Sequence, residues 1–330
     1  MKILIIQTAF IGDVILATAL IEKLSENYPD SEIHFLVRKG NEGLLKDHPL
    51  LEKVWIFNKS EGKYQNLFRL VSQIRSEKFN IVINVQRFFT TGLITALSGG
   101  KKKIGFDKNP LSFLFNEKVK HTIGDGRHEV DRNHSLIAGL TNEQSSKPKL
   151  YPSAQDYQSV KQYQDDNYIC IAPTSVWYTK QFPAEQWIDF INQVPSGFMI
   201  YLLGAPVDID PCEHIKQLST NSNVMNLAGK LNLLASAALM KSASMNYVND
   251  SAPMHLASAM NAPVCAVFCS TVPAFGFGPL SDKSYVIETE MKLYCRPCGL
   301  HGHKACPQTH YNCAKSIEVK RLLDVLEKVH

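Results

Sequence analysis

Several features that would place a sequence in a large class at once are missing here. The 330 residues contain no apolar run of the roughly 18 residues that a membrane-spanning helix needs. They contain no internal repeat and no low-complexity segment, which excludes a repeat architecture. Charge of one sign is not in large excess, because 35 Lys and Arg stand against 31 Asp and Glu. The overall charge therefore indicates no particular partner and gives no sign of nucleic-acid binding.

The common nucleotide-binding fingerprints are also missing. No G-x-G-x-x-G follows the first predicted strand, which argues against a nicotinamide or flavin cofactor, and no P-loop occurs. The stretch MKILIIQTAFIGDVILATAL resembles a signal peptide, but Gln7, Gly12 and Asp13 interrupt its apolar run. We expect a buried strand that enters a helix, and a cytoplasmic protein. In that compartment the eight cysteines are expected to be thiols or metal ligands rather than disulfides.

The sequence does contain two series of alternating strands and helices. Short apolar runs predict the strands, at 3–7, 32–37, 53–57, 81–85, 168–172, 199–203 and 264–268. Apolar residues at helical spacing predict the helices, which begin at Val14 and include 41–48, 66–76, 184–192, 211–218, 231–241 and 317–329. This alternation is typical of doubly wound α/β sheets, so two Rossmann-like halves are the predicted architecture.

A loosely patterned segment separates the two series. Residues 124–167 are rich in polar residues, Ser and Pro, which is typical of a domain boundary. We predict an N-terminal domain over 1–155 and a C-terminal domain over 156–330. Ligands of such sheets bind at the carboxyl ends of strands, and Asp13 follows the first strand. Asp13 has two open roles, as the N-cap of the next helix or as a general base, and capping is the commoner one.

The stretch 247–268 predicts a strand, a tight loop, a short helix and a second strand. Pro253 suits the first helical turn, so the helix N-terminus would present amides beside Ser251 and His255. Such an N-terminus readily binds phosphate. The alternative is that Asp250 and Ser251 only cap the helix.

A second loop of the same kind lies at 172–183, with the sequence APTSVWYTKQFP. Thr174, Ser175 and Thr179 supply hydroxyl groups, and Lys180 supplies a cation. Both loops follow strands of the same predicted half, so we expect them at one edge of its sheet. Two phosphate-binding loops at one edge suit a diphosphate.

Two further clusters each allow two interpretations. Lys101, Lys102 and Lys103, with Arg127 further along, suggest an anionic ligand, and the alternative is a solvated basic face. The C-x2-C-x7-C-x6-C pattern has the spacing of a structural zinc site, and the alternative is a set of reduced thiols. Its members are Cys295, Cys298, Cys306 and Cys313.

These motifs occur in the order of one known family. The chain carries I-G-D-V-I-L-A-T-A at 11–19, P-T-x-x-W-x-T-K-x-F-P at 173–183, N-L-A-G-K-L-N-L-L at 226–234, N-D-S-A-P-M-H-L-A-S-A at 249–259 and C-R-P-C at 295–298. In this combination the sequence resembles the heptosyltransferases of glycosyltransferase family 9 over nearly its whole length. The resemblance implies a GT-B fold, with two Rossmann-like domains facing a central cleft. The N-terminal domain would bind the acceptor and the C-terminal domain the nucleotide sugar.

The resemblance further implies an inverting transferase that moves heptose, or a related sugar, from an ADP-heptose-like donor to a lipid-linked lipopolysaccharide core saccharide. No cofactor would be required, and contact with the inner face of the inner membrane would be peripheral. Asp13 matches the catalytic base, and Glu213 loosely matches a residue near the donor ribose. The residues that match the donor diphosphate site are Thr174, Ser175, Lys180, Asp250, Ser251, Ala252 and His255. The acceptor phosphates or the membrane would meet Lys101, Lys102, Lys103 and Arg127.

Some positions depart from the family pattern. Thr174 replaces the usual Gly, Ser251-Ala252 replaces Thr-Gly, and Gln181-Phe182 replaces Arg-Trp. Alanine at 252 lacks easy access to positive φ, so we expect a differently shaped phosphate loop. Two other functions remain as alternatives at this point. One is a nucleotide-sugar epimerase on a similar scaffold, and the other is a non-enzymatic module that binds through the cysteine cluster.

Overall fold

The computed structural model describes residues 1–59, 62–165 and 167–329. The chain divides into two units, Met1–Tyr151 and Pro152–His330, and the boundary lies inside the polar segment that follows residue 124. Each unit contains its own parallel sheet. In the described part of the chain, every helix is too short or too polar to cross a bilayer.

The first unit is built on a six-stranded sheet. Its strands are β1 (Lys2–Ile6), β2 (Glu32–Arg38), β3 (Lys53–Phe57), β4 (Ile81–Asn84), β5 (Lys102–Phe106) and β6 (Glu117–Val119). Its helices are α1 (Ile11–Asn27), α2 (Lys63–Ser76), α3 (Phe89–Leu97) and α4 (Glu129–His134). The strand order is β3-β2-β1-β4-β5-β6, and neighbouring strands are parallel. Four consecutive apolar residues of β1 are buried, as in a strand that helices cover on both faces.

The second unit repeats this plan. Its strands are β7 (Tyr168–Ala172), β8 (Met199–Leu202), β9 (Val224–Asn226), β10 (Met245–Asn249), β11 (Val264–Phe268) and β12 (Ser284–Glu288). Its helices are α5 (Ala154–Val160), α6 (Ala184–Gln193), α7 (Ile209–Leu218), α8 (Leu233–Ser242), α9 (Ala252–Ala259), α10 (Asn312–Lys315) and α11 (Lys320–Glu327). The order β12-β11-β10-β7-β8-β9 is the order of the first sheet read from the other edge. The predicted doubly wound α/β architecture is therefore confirmed for both halves.

Two local predictions need correction. The helix predicted at 41–48 is a single 3₁₀ turn, Glu42–Leu45, because Asp47 adopts a positive φ of 53° and Pro49 follows it. The predicted linker at 124–167 is not structureless, since it contains α4 and α5.

The C-terminal helix α11 packs its apolar face, formed by Leu322, Val325 and Leu326, into the core of the second unit. Leu322 of this helix is fully buried among apolar residues of the sheet and of α6. Its carbonyl accepts a hydrogen bond of 3.1 Å from the Tyr247 hydroxyl of β10. The C-terminal helix is thus part of the core that supports the central strand β10.

We predict that Leu322→Ala lowers the free energy of unfolding of the second unit by about 2–5 kcal/mol, because it removes a buried side chain and leaves a cavity. Chemical denaturation followed by tryptophan fluorescence measures the change, since Trp187 lies in the same core. The control is Glu327→Ala at an exposed position of the same helix, which should stay within about 0.5 kcal/mol of the parent. Equal effects of the two substitutions would contradict the packing described for α11.

Candidate functional site

The second sheet has its topological switch point between β7 and β10. The two strands are neighbours, with Val248 in register with Ala172, and their connections lead to opposite sides of the sheet. At such a point the loops at the carboxyl ends of the strands diverge and leave space for a ligand. The segments that follow β7 and β10 contain all the residues predicted to bind a diphosphate. The structure thus brings these residues to one edge of one sheet.

Asn249, the last residue of β10, joins the two segments. Its side chain is buried, its Nδ2 donates to the Pro173 carbonyl at 2.9 Å, and its Oδ1 accepts from the Phe182 amide at 2.8 Å. Both ends of the loop that carries Lys180 are thereby fixed to the end of β10. No local sequence pattern predicted this role of Asn249. The one signal was an asparagine at the end of a buried strand, because buried amides need hydrogen-bond partners.

Lys180 and Asp250 form an ion pair at this edge. Lys180 Nζ lies 2.7 Å from Asp250 Oδ2, and their side chains are only 15% and 6% exposed. The Thr271 hydroxyl donates to the same carboxylate oxygen at 2.5 Å. A carboxylate repels a phosphate, so this geometry makes Asp250 the residue that orients Lys180 rather than a direct phosphate ligand. Thr271 was not among the predicted residues.

The N-terminus of α9 lies beside this ion pair. Ser251 is the N-cap residue, but its side chain makes no capping hydrogen bond. Its hydroxyl is 3.4 Å from the carbonyl of Asn249, and Asp250 is engaged by Lys180. The interpretation of Asp250 and Ser251 as simple caps is therefore wrong. Ala252 is the first residue of the helix, so its position needs no positive φ, and the glycine expected there is dispensable.

The remaining predicted donor residues occupy the same edge. Thr174 and Ser175 are half-buried in the loop after β7, and His255 is buried in α9. Glu213 of α7 accepts a hydrogen bond of 3.0 Å from Asn226, the last residue of β9. This bond, and then Lys216 at 3.6 Å, hold the pKa of Glu213 below its usual range. β9 is two strands from β7, so the end of β9, where Asn226 holds Glu213, lies about 10 Å along the edge from the end of β7.

In the first unit, Asp13 follows β1 at the corresponding switch point, beside β4. The helix begins at Ile11, so Asp13 is its third residue and not the predicted N-cap. Its Oδ2 accepts a hydrogen bond of 3.2 Å from the Phe10 amide. The Asp13 carboxylate thus accepts from the amide of the N-cap residue Phe10 and satisfies a donor at the helix N-terminus, and it remains half-exposed.

A buried ion pair of α4 lies near Asp13. Arg132 is 1% exposed, and its Nε donates to Glu129 Oε2 at 2.8 Å. Burial raises the pKa of Glu129, and the negative charge of Asp13 raises it further. Arg132 also donates to the Arg127 carbonyl at 2.5 Å. Arg127 is therefore at the same edge as Asp13.

The predicted acceptor-binding cations are not brought together. Lys101 precedes β5, and Lys102 and Lys103 are its first two residues, in register with Ile81 and Val82 at the start of β4. They thus lie at the amino edge of the sheet, whereas Asp13 and Arg127 lie at the carboxyl edge. Lys102 is paired with Glu117 at 2.7 Å. The basic run is the start of β5, the strand next to the edge strand β6. The predicted cluster was based on charge alone, because no strand was predicted there.

Exposed aromatic rings surround the Asp13 edge and were not predicted. Phe10, Phe88 and Phe113 follow β1, β4 and β5, which are adjacent in the sheet, and they are 55%, 65% and 69% exposed. The guanidinium of Arg38, at the end of β2, lies 5.0 Å from the centre of the Phe10 ring. An edge that combines a carboxylate, cations and exposed rings suits a saccharide that carries anionic groups.

The cysteine cluster does not assemble into a metal centre in the described residues, where no three His, Cys, Asp or Glu side chains are placed to hold an ion. All eight cysteines are free thiols. Burial raises the pKa of Cys298, and the neighbouring Cys295 and Cys306 raise it further, so the three lie close together. The zinc interpretation gains no support from this arrangement and stays a prediction.

Comparisons with known proteins agree on one family. The model of glycosyltransferase family 9 (heptosyltransferase) matches residues 67–309. Lipopolysaccharide heptosyltransferase 3 of Escherichia coli is 27% identical over 285 residues, which cover 79% of this chain and 82% of that protein. The structure of the E. coli ADP-heptose lipopolysaccharide heptosyltransferase II superimposes with a TM-score of 0.83 at 21% identity, covering 100% and 98% of the two chains. The structure of a family 9 glycosyltransferase from Veillonella parvula superimposes with a TM-score of 0.88 at 19% identity, covering 99% of this chain and 96% of that chain.

The electrostatics of the Asp13 edge give a pH prediction. Burial, with Arg87 and Arg132 adding to it, lowers the pKa of His121 to about 4, below the value of about 6.5 in an unfolded chain. The unfolded state then binds more protons than the folded state between pH 6.5 and 4. Stability is therefore full above pH 6.5 and falls as the pH drops through this window, by up to about 2 kcal/mol for this histidine. His48, whose pKa burial also lowers to about 4, adds to the loss.

The measurement is urea unfolding of the protein at pH 7.5, 5.5 and 4.5. His121→Gln should flatten the loss of stability toward acid, because glutamine does not titrate. Replacement of the exposed His214 by Gln in the second unit is the matched control and should leave the profile unchanged. A His121→Gln protein with the parent's acid slope would refute the assignment.

Proposed function

The chain belongs to glycosyltransferase family 9, and on that basis we propose that it transfers heptose, or a closely related sugar, from an ADP-activated donor to a lipopolysaccharide core saccharide. The observation that carries the proposal is the meeting of the Lys180 loop and the α9 N-terminus at the switch point of the second sheet. Relatives of the chain include heptosyltransferases that act on lipopolysaccharide. Their activity supplies the substrate class.

The donor diphosphate would bind against Lys180 and the start of α9. In the structure without ligand, Lys180 is neutralised by Asp250 at 2.7 Å. A diphosphate that approaches the ammonium group from the open side would give the lysine a second anionic partner without exposing Asp250. As the bond to the sugar breaks, negative charge grows on the leaving ADP, and the lysine with the helix N-terminus stabilises it. These groups can do so without a metal cofactor.

Asp13 would act as the general base. Its carboxylate takes the proton from the acceptor hydroxyl as the hydroxyl oxygen forms a bond to the anomeric carbon. The bond between that carbon and the phosphate oxygen breaks on the opposite face, so the configuration inverts. The Phe10 amide at 3.2 Å holds the carboxylate in one orientation. Under this proposal the base belongs to the first unit and the leaving-group site to the second.

The acceptor would bind to the first unit at the Asp13 edge. Arg38 would meet its phosphates, and so would Arg127, whose guanidinium is held by Asp125 at 2.8 Å. The exposed rings of Phe10 and Phe88 would meet its sugar faces. Lys101, Lys102 and Lys103 lie at the opposite edge, so we assign them no contact with the reacting saccharide. Because the acceptor is lipid-linked, the reaction would take place at a membrane surface.

The epimerase alternative is weaker, because the family model and the relatives are transferases. Incubation with the nucleotide sugar alone separates the two functions. An epimerase interconverts the donor without an acceptor, whereas a transferase at most hydrolyses it slowly.

We predict that Asp13→Asn abolishes sugar transfer, by at least about 100-fold, and leaves donor binding unchanged. The Asn side chain keeps an oxygen that can accept from the Phe10 amide, so α1 should still form, but it cannot take up a proton. Transfer is measured as release of the nucleotide diphosphate, and donor binding by calorimetry. The matched control is Asp30→Asn, at an exposed turn, which should retain full activity. Normal turnover in the Asp13 variant would remove the proposed mechanism.

We further predict that ADP raises the melting temperature of the protein more than UDP, GDP or CMP does at the same concentration. A ligand at 100 times its Kd stabilises the folded state by about 2.7 kcal/mol. Lys180→Gln should reduce the shift, because the diphosphate loses its cation, whereas Lys230→Gln at an exposed position should not. A clear preference for UDP would overturn the assignment of an ADP-activated donor while leaving the fold unaffected.

A further inference from the structure

The segment Cys295–Tyr311, which we name the cysteine-rich segment, has no role in the proposed chemistry. It connects β12 to α10 and contains no α-helix or strand of its own. It is nevertheless tied to the end of the sheet, since the Cys298 amide donates to the Ser270 carbonyl at 2.7 Å. A long irregular segment that is held this way usually serves a site.

The middle of the segment holds the turn that carries Lys180. The Thr179 amide donates to the His303 carbonyl at 3.1 Å, and the His303 amide donates to Thr179 Oγ1 at 2.8 Å. The Ser270 hydroxyl donates to the same Oγ1 at 3.1 Å. Thr179 is 1% exposed, so these bonds are shielded from water. Lys180 therefore follows a residue that is fixed on both its amide and its side chain.

The start of the segment holds the partner of the lysine. Arg296 Nε donates to the Cys269 carbonyl at 2.7 Å, and its Nη2 donates to the Thr271 carbonyl at 2.8 Å. Thr271 in turn donates its hydroxyl to Asp250. The arginine side chain is only 10% exposed and is also paired with Glu288 at 3.3 Å. The segment thus fixes both members of the ion pair, Lys180 from one side and Asp250 from the other.

Gly302 is the residue of the cysteine-rich segment that lies against the turn carrying Lys180. It has a φ of +77°, and a Cβ added there would lie 2.9 Å from Thr179 Oγ1 and 3.2 Å from Lys180 Cγ. A real Cβ does not come so near a buried oxygen that is held by two donors. Only glycine therefore allows the segment to lie against the Lys180 turn.

We propose that the cysteine-rich segment positions Lys180 for the donor diphosphate, with Thr179, Arg296 and Gly302 as its positioning residues. A lysine side chain loses rotamer entropy on binding, and a fixed turn and a fixed Asp250 remove part of this cost in advance. None of the three residues touches the reacting atoms. This inference rests on the proposed function, because it takes the nucleotide sugar as the ligand of Lys180.

The test compares Gly302→Ala with Gly299→Ala. Gly299 lies in the same segment with a similar φ of +72°, but a Cβ there meets only His303 Nε2 at 3.7 Å. The two variants therefore share the backbone strain and differ in contact with the Lys180 turn. Gly302→Ala should raise the KM for the donor and the Kd of ADP by about tenfold or more, because displacement of about 1 Å at a positioning group has effects of this size. Gly299→Ala should stay within about twofold.

A second pair of variants changes only the side chain of Thr179 and therefore adds no backbone strain. Thr179→Val deletes the oxygen that accepts from His303 and should weaken ADP binding, whereas Thr179→Ser keeps the oxygen and should restore it. Hydrogen exchange of a peptide covering residues 176–182 gives a readout that needs no ligand, and it should speed up in Gly302→Ala and Thr179→Val only. Melting curves identify any variant that is unfolded.

The outcomes distinguish a failure of the positioning hypothesis from a failure of the proposed function. If folded Gly302→Ala and Thr179→Val bind ADP and exchange hydrogen as the parent does, the segment does not position Lys180 and this inference is refuted. If the parent itself binds no ADP and no ADP sugar, the proposed function fails, and the inference about its donor fails with it. Faster exchange at 176–182 with unchanged ADP affinity would show a merely structural contact and would also refute the inference.

Discussion

The candidate site depends on one constraint, which is that a mostly buried ammonium group needs an anionic partner before any ligand arrives. Asp250 is that partner for Lys180, and its own place is set by β10, which ends one residue earlier at Asn249. Asn249 then fixes both ends of the loop that carries the lysine. Hydrogen bonds from Asn249 at the end of β10, and the ion pair of Asp250, therefore determine where Lys180 lies. In the proposed function, the donor phosphates would be a further partner for a charge that is already balanced and oriented.

The repeated strand order explains where the chemistry can lie in each unit. Both sheets follow the same order around a switch point, β1 beside β4 in the first and β7 beside β10 in the second. The first connection of each unit carries its charged candidate, Asp13 in one and Lys180 in the other. The same position in the same topology thus holds a carboxylate in one unit and a cation in the other. The fold supplies the location, and local residues decide the role.

Sequence reasoning predicted the elements whose side chains are apolar on both faces. β7 and β11 have the predicted bounds, because each is a run of five buried residues between turn formers. β3 also has its predicted bounds, although its Lys53 and Ile56 are exposed. β5 was missed because Lys102 and Lys103 occupy its solvent-facing end, and β9 was missed because it has only three residues. The residues of the diphosphate edge were predicted, since loops after strands are visible in the sequence. Thr271 and Arg296 were not, because each reaches its partner over more than 20 residues and no local pattern marks such a contact.

The distribution of thiols has a practical consequence. Cys170, Cys212, Cys265, Cys269 and Cys313 are buried, and burial raises their pKa values, so little reactive thiolate forms on them near neutral pH. Cys295, Cys298 and Cys306 are partly accessible, and all three lie in the segment that contacts the Lys180 turn. A maleimide fluorophore added to the unaltered protein would therefore label that segment alone. The molecule carries a native attachment point for an optical reporter beside the ion pair of Lys180 and Asp250.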